Sequence, residues 1–125
     1  MSLIPNLSDI PELSPVPDGE YDLRVTSVKE KKSKDGSRNS IMLVCEIIGE
    51  ENALPVFHSL WLPSASDDEE KSATMWRMIK DFLISVGLSP DGELELEDFE
   101  DLSFSALLEY EDGAWGKRNN ILRIT

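Results

Sequence analysis

Five cations fall within ten residues of this chain. They are Lys29, Lys31, Lys32, Lys34 and Arg38 in KEKKSKDGSR, opposed only by Glu30 and Asp35. A second basic group, Lys117 and Arg118 beside Trp115, lies near the other end, with Arg123 just beyond. Cations interleaved with flat aromatic rings suit one non-covalent task, the neutralising of phosphates while bases stack. Trp115 stands between Gly113 and Gly116 with no neighbours of its own strand to pack on. An exposed indole calls for a covering partner, a base or a protein; the alternative is a ring folded back over the hydrophobic mouth of the domain. Phe57 and Trp61 share one side of an apolar segment. Aromatics so placed are more often core than stacking platform.

Covalent chemistry has little to draw on. The chain holds one histidine, His58, and one cysteine, Cys45, both in apolar segments. No serine–histidine–acid or cysteine–histidine pattern supports a nucleophile, and no Cys/His set suits zinc. Glu93, Glu95 and Glu97 alternate with leucines and read as a solvated acidic surface rather than a magnesium site. The expectation is a protein that is not an enzyme, with no cofactor and no metal.

The cations must be positioned by short strands. Tyr21, Leu23 and Val25 alternate with Asp22, Arg24 and Thr26, the period-two pattern of a half-buried strand running from Glu20 to about Lys31. The apolar phase shifts at Val28, which predicts a bulge. Asp35-Gly36 marks a hairpin turn. The second strand, from Asn39 to Ile48, puts Ile41, Leu43, Cys45 and Ile47 on one face and Met42, Val44 and Glu46 on the other. The third, Leu54 to Leu62, sets Phe57 and Trp61 against His58, Leu60 and Leu62, and Pro63 ends it. Next, Ser66-x-x-Glu69 has the form of a capping box. Met75, Trp76, Ile79, Phe82, Leu83 and Val86 form a helical apolar stripe that stops at Gly87 and Pro90. Residues 94–101 predict a loop with a short helical turn, and two more strands follow at Ser103–Glu111 and Asn119–Thr125.

The predicted fold is thus all-β with one inserted helix, in the order β-β-β-α-β-β. That is the chain order of the five-stranded OB-fold barrel, which places ligands on strands 2 and 3 and on the loops joining strands 1–2 and 4–5. The barrel occupies residues 18–125. Residues 1–17 carry four of the seven prolines and the near-repeat IPNLSD/IPELSP, and read as a Pro-rich arm. The arm is flexible or loosely docked in one reading. In the other its Ile4, Leu7, Ile10 and Leu13 pack on the barrel or on a neighbouring subunit. The N-terminus lacks the basic start and apolar stretch of a secretory signal, and no segment is apolar enough to span a membrane. A lone buried thiol fits a reducing cytoplasm.

The net charge of −13 runs against a phosphate ligand. The acid is segregated, however. Residues 49–101 hold 14 Asp and Glu against three Lys and Arg. Charges separated by more than about 8 Å are largely screened at physiological salt, so a basic hairpin can act locally.

The pieces PDGEYDLRVTSVKEKKSKDG at 17–36, SIMLVCEIIG at 40–49, VFHSLWL at 56–62, MWRMIKDFLISVGL at 75–88, EDFEDLSFSALLEYE at 97–111 and NNILRI at 119–124 are similar to those of a known group. They resemble the small phage-encoded OB-fold proteins regarded as single-stranded-DNA-binding proteins. The resemblance implies that Tyr21 opens strand 1 and that Lys31, Ser33, Lys34 and Gly36 form a basic turn. It also implies that Trp61 and Leu62 form the aromatic end of strand 3 and that Asn120 and Arg123 are polar positions of the last strand. The expectation is binding of single-stranded DNA without sequence preference, in phage or prophage replication or recombination, in the cytoplasm of the host cell. The candidate contacts are Lys29, Lys31, Lys32, Lys34, Arg38, Phe57, Trp61, Trp115, Lys117, Arg118 and Arg123. A replication or recombination protein and a second copy of the chain are further candidate partners. The competing reading is an OB-fold interaction module, or an acidic DNA mimic, that binds a replication or repair protein.

Overall fold

The computed structural model describes residues 3–114 and 116–125. Five strands form one antiparallel sheet: β1 (Gly19–Lys32), β2 (Asn39–Ile47), β3 (Val56–Trp61), β4 (Ser103–Gly113) and β5 (Gly116–Ile124). The helix α1 (Glu69–Ser85) and a 3₁₀ turn (Leu96–Phe99) lie between β3 and β4. The sheet order is β3-β2-β1-β4-β5. Its two edge strands, β3 and β5, approach within 8 Å between Cα atoms, yet no ladder joins them among the described residues. The expected barrel is therefore a strongly curled sheet left open along one seam.

The arm lies across one end of that seam. Ser14 donates its N–H to the Asn52 carbonyl and accepts from the Leu54 N–H, just ahead of β3. Two residues on, the Val16 N–H and C=O are both taken by the Asn119 side-chain amide of β5, at 2.8 Å each. Val16 is buried in the core. The arm thus bridges the two sides of the gap, through the backbone ahead of β3 and a side chain of β5.

Alternation puts Leu23 and Val25 of β1, Leu43, Cys45 and Ile47 of β2, Val56 and Leu60 of β3, and Phe104, Ala106 and Leu108 of β4 on the inner face. The predicted phase shift in β1 is a bulge between Val25 and Ser27. It lets the first half of β1 pair with β4 while the second half follows β2 outward. A bulge adds one residue and bends the strand, as a strand shared between two halves of a curled sheet requires.

The helix starts two residues later than the capping-box spacing suggests. Asp68 is the N-cap, its carboxylate accepting from the Lys71 N–H at 2.7 Å, while Ser66 instead bonds Ser64. Asp68 wins because its carboxylate also answers the positive end of the helix dipole. At the other end Gly87 has φ +86°. Its N–H reaches the Ile84 carbonyl and the Leu88 N–H reaches that of Leu83, the paired bonds of a Schellman stop. Only the C-terminal half of the apolar stripe is buried: Phe82, Leu83 and Val86. Phe82 stacks on His58 at 5.2 Å and meets Phe104 edge-on. Trp76 stays 54% exposed. Among the described residues no helix is long and apolar enough to cross a membrane.

Candidate nucleic-acid interface

Register decides which side chains share the outer face of β1–β2–β3. Three rows cross the strands there: Ser27–Val44–Phe57, Lys29–Met42–Ser59 and Lys31–Ser40–Trp61. The Leu62 N–H donates to the Asn39 carbonyl. Every second β2–β3 pair from there is hydrogen-bonded, so the pairs Ser40/Trp61, Met42/Ser59 and Val44/Phe57 are the non-bonded kind, whose side chains sit closer together. Phe57 is 54% exposed and Trp61 47% exposed. Neither is a core residue, contrary to the reading that their spacing favours. The core side of β3 is taken by Val56, His58 and Leu60, which leaves the alternate positions to solvent. Four residues of strand separate the two rings by about 13 Å, and two strand spacings put Lys31 about 9–10 Å from Trp61.

Lys29 and Lys31 are exposed, and neither makes an ion pair among the described residues. Lys32, one residue further, falls on the opposite side of β1 across from Asn39. The hairpin tip beyond it is not purely cationic. Asp35 accepts from the Ser37 hydroxyl, the Ser33 hydroxyl and the Ser37 N–H at 2.6, 2.7 and 3.0 Å. These bonds, the Ser37 hydroxyl foremost, hold its carboxyl well below the usual range, so the tip keeps a fixed negative charge beside Lys34. Gly36, at φ +73°, closes the turn with its N–H on the Ser33 carbonyl.

The Arg38 guanidinium is engaged within the chain. It makes a two-pronged bond to Asp67, 2.8 Å on each side, and a third bond to the Leu62 carbonyl at 3.1 Å. Asp67 also accepts from the Ser64 N–H and lies 3.4 Å from the Lys71 ammonium. The Arg38 bond and the Ser64 N–H hold the Asp67 carboxyl well below its ordinary value, and Arg38 is raised in turn. The pair ties the start of β2 to the loop that launches α1. A planar fork matched to a carboxylate is the geometry arginine favours. The signal available in sequence was Asp67 itself, one of four consecutive acids, three of which do lie at the helix start.

One cation of the second basic group is paired within its own hairpin. Arg118 lies 3.3 Å from Glu111, which also accepts from the Asn120 side-chain amide. Lys117 stands directly across from Asp112, and Arg123 across from Leu107. Trp115 lies outside the described residues. The structure therefore brings together Phe57, Trp61, Lys29 and Lys31 on one face; Lys32 falls on the other side of β1, Arg38 and Arg118 are held in ion pairs, and Lys117 and Arg123 lie on β5. Sequence reasoning missed Met42 and Val44, half-buried apolar residues that floor this face between the two aromatics.

The groups with reactive potential are turned inward. Burial pushes the Cys45 thiol up to about 12. Burial also lowers the His58 imidazole below its usual value, which keeps it neutral against Phe82. Among the described residues no three His, Cys, Asp or Glu side chains are grouped to hold a metal ion. No family model matches the chain, and no curated protein matches it.

Proposed function

We propose that the chain is an OB-like barrel that binds single-stranded DNA, without sequence preference, on the outer face of β1–β2–β3, in phage or prophage replication or recombination. One observation carries the reading: two exposed aromatics, Phe57 and Trp61, share a face with two exposed lysines, Lys29 and Lys31. Stacked bases supply about 1–3 kcal/mol each, while two lysines supply only a shallow electrostatic contribution. The sheet order and the position of α1 between β3 and β4 support the OB assignment. Phosphate contact by Lys29 and Lys31 alone sets a salt slope of about −1.4 on single strands. Affinity therefore rests on stacking more than on charge, which suits a chain of net charge −13. Titrating a fluorescent oligo-dT at low ionic strength tests this. Saturable binding with quenched tryptophan emission and a shallow salt dependence is the expected result. A flat anisotropy trace at low ionic strength contradicts it.

A second reading has its own observation. Asp91, Glu93, Glu95, Glu97, Asp98, Glu100 and Asp101 are all exposed along one loop. Of these, Asp101 reaches a cation, Arg24, only at 3.9 Å. Such a strip suits an interaction module or DNA mimic facing a basic replication or repair protein. In that case the oligonucleotide trace stays flat and a basic partner binds instead.

A further inference from the structure

The apolar stripe of α1 is covered along only part of its length. Trp76, Ile79, Lys80 and Leu83 recur at i, i+3, i+4 and i+7, so they share one face of the helix. Leu83 is buried at the core end of that face, while Trp76 is exposed. The same four residues line a groove of about 540 Å³, with Ile41 and Leu60 of the sheet. The loop after α1 lines it too, through Pro90, Asp91, Gly92 and Leu94. That loop continues into the acidic strip. Seven of the eleven residues from 91 to 101 are Asp or Glu, and none is Lys or Arg. Among the described residues the strip's one ion pair is Asp101 with Arg24, at 3.9 Å. The groove therefore joins an apolar helical ridge to a band of negative charge that the chain itself leaves largely unspent.

We propose that this groove takes an amphipathic helix of another protein, its apolar stripe inward and its lysines or arginines on the flank that meets loop 91–101. A wall built on i, i+3, i+4 and i+7 is a helical ridge, and the surface that packs on such a ridge is the stripe of a second helix. An open tryptophan at the end of the ridge is the kind of anchor that such contacts use. Charge then selects the partner. The acidic strip attracts a basic flank and repels an acidic one, and it equally repels nucleic acid and anionic lipid. Lys80 is the one cation in the lining, and it stands on the helix side, so the sign of charge also orients the occupant across the groove. The chain's own segments do not fit. The arm carries Asp9 and Glu12 and no lysine or arginine. The α1 of a second copy sets Lys71, Arg77 and Lys80 against Glu69, Glu70 and Asp81 and has no basic flank to offer. The inference does not rest on the DNA reading, since Phe57, Trp61, Lys29 and Lys31 do not line this groove. It differs from an acidic mimic in that apolar contact, and not acid alone, fixes the site.

The test is anisotropy titration of the full chain into three fluorescein-labelled peptides of about 14 residues, roughly four helical turns. The first has leucines at i, i+3, i+4 and i+7 and lysines elsewhere. The second has the same composition reordered so that no stripe forms, and the third has glutamates in place of the lysines. The striped basic peptide should bind saturably, one per chain, and the other two about ten-fold more weakly or worse. Trp76→Ser should weaken the striped peptide by about ten-fold or more. Asp91→Asn/Glu93→Gln should weaken it and flatten its salt dependence, while Glu50→Gln/Glu51→Gln, the same loss of charge at the β2–β3 turn, should leave it unchanged. All five positions are exposed, so the folds should persist, which circular dichroism checks. Amide chemical-shift mapping of the wild-type chain needs no substitution, and should perturb residues 76–83 and 91–94 foremost. A reordered peptide that binds as tightly as the striped one overturns the proposal, because acid alone then suffices. So do a folded Trp76→Ser chain that binds as wild type does, equal weakening by the Glu50→Gln/Glu51→Gln variant, and shifts that miss α1.

Discussion

The two basic hairpins look alike in sequence and differ in the fold. Each has a glycine-containing turn and cations beside it. In β1–β2, Lys29 and Lys31 emerge on the outer face with no carboxylate opposite, since their cross-strand partners are Met42 and Ser40. In β4–β5, the register sets Arg118 against Glu111 and Lys117 against Asp112, and the first of these pairs closes to 3.3 Å. A cation count therefore says little about the field a ligand meets. What matters is which residue stands across the ladder, because opposed charges on neighbouring strands spend their attraction on each other. The second difference is aromatic. The β1–β2 face continues onto β3, where Phe57 and Trp61 lie open.

The contrast can be broken most sharply at the rings. Phe57→Ala and Trp61→Ala should each weaken oligo-dT binding by about 1–3 kcal/mol, roughly 5- to 150-fold. Melting temperature should hardly change, because both side chains are about half exposed. Anisotropy titration with thermal melts measures both. A smaller effect belongs to the lysines: Lys29→Ala/Lys31→Ala should flatten the salt dependence by about 1.4 in the log–log slope, read from titrations at several salt concentrations.

Arg38→Met separates a structural cation from a ligand-facing one. The salt slope should stay as it was while the melting temperature falls. The pH dependence has a definite sign. Asp67 has a depressed carboxyl value in the folded chain, so the unfolded chain binds the proton more readily and stability rises with pH across that window. The contribution is fully present above the unfolded carboxylate value of about 4 and fades as pH falls through the lower folded value. The melting gap between wild type and Arg38→Met should thus be widest near neutrality and narrow in acid. The smallest effect should come from Lys117→Ala/Arg118→Ala, with binding unchanged within error. Glu111→Gln sharpens the same comparison in the other direction, since it releases Arg118 and should tighten binding slightly.

Much of the fold was legible in the sequence, because alternation and punctuation are local signals. Leu23 and Val25, Leu43 and Cys45, and Gly87 behave as their patterns predict. The bulge in β1 was visible as a phase shift at Val28, one residue beyond its observed place. The open seam was not legible. Whether the two edge strands pair is a long-range matter, as is the contact of Val16 with Asn119, 103 residues away, and no local pattern encodes either. The same holds for Arg38 and Asp67, separated by 29 residues. For Phe57 and Trp61 the alternation was read correctly. Which face pointed inward depended on α1 and its Phe82 lying against His58, a tertiary fact. Cations were the least legible of all, since what faces Lys117 and Arg118 depends on the β4–β5 register set at the turn, where Gly113 stands across from Gly116.

Amide chemical-shift mapping with oligo-dT at low ionic strength reads, residue by residue, where a polynucleotide touches the sheet. The predicted result is a set of perturbed resonances concentrated at Lys29, Lys31, Met42, Val44, Phe57 and Trp61, with the 116–123 segment and α1 quiet. Perturbations confined to the β4–β5 hairpin, or none anywhere, would contradict it.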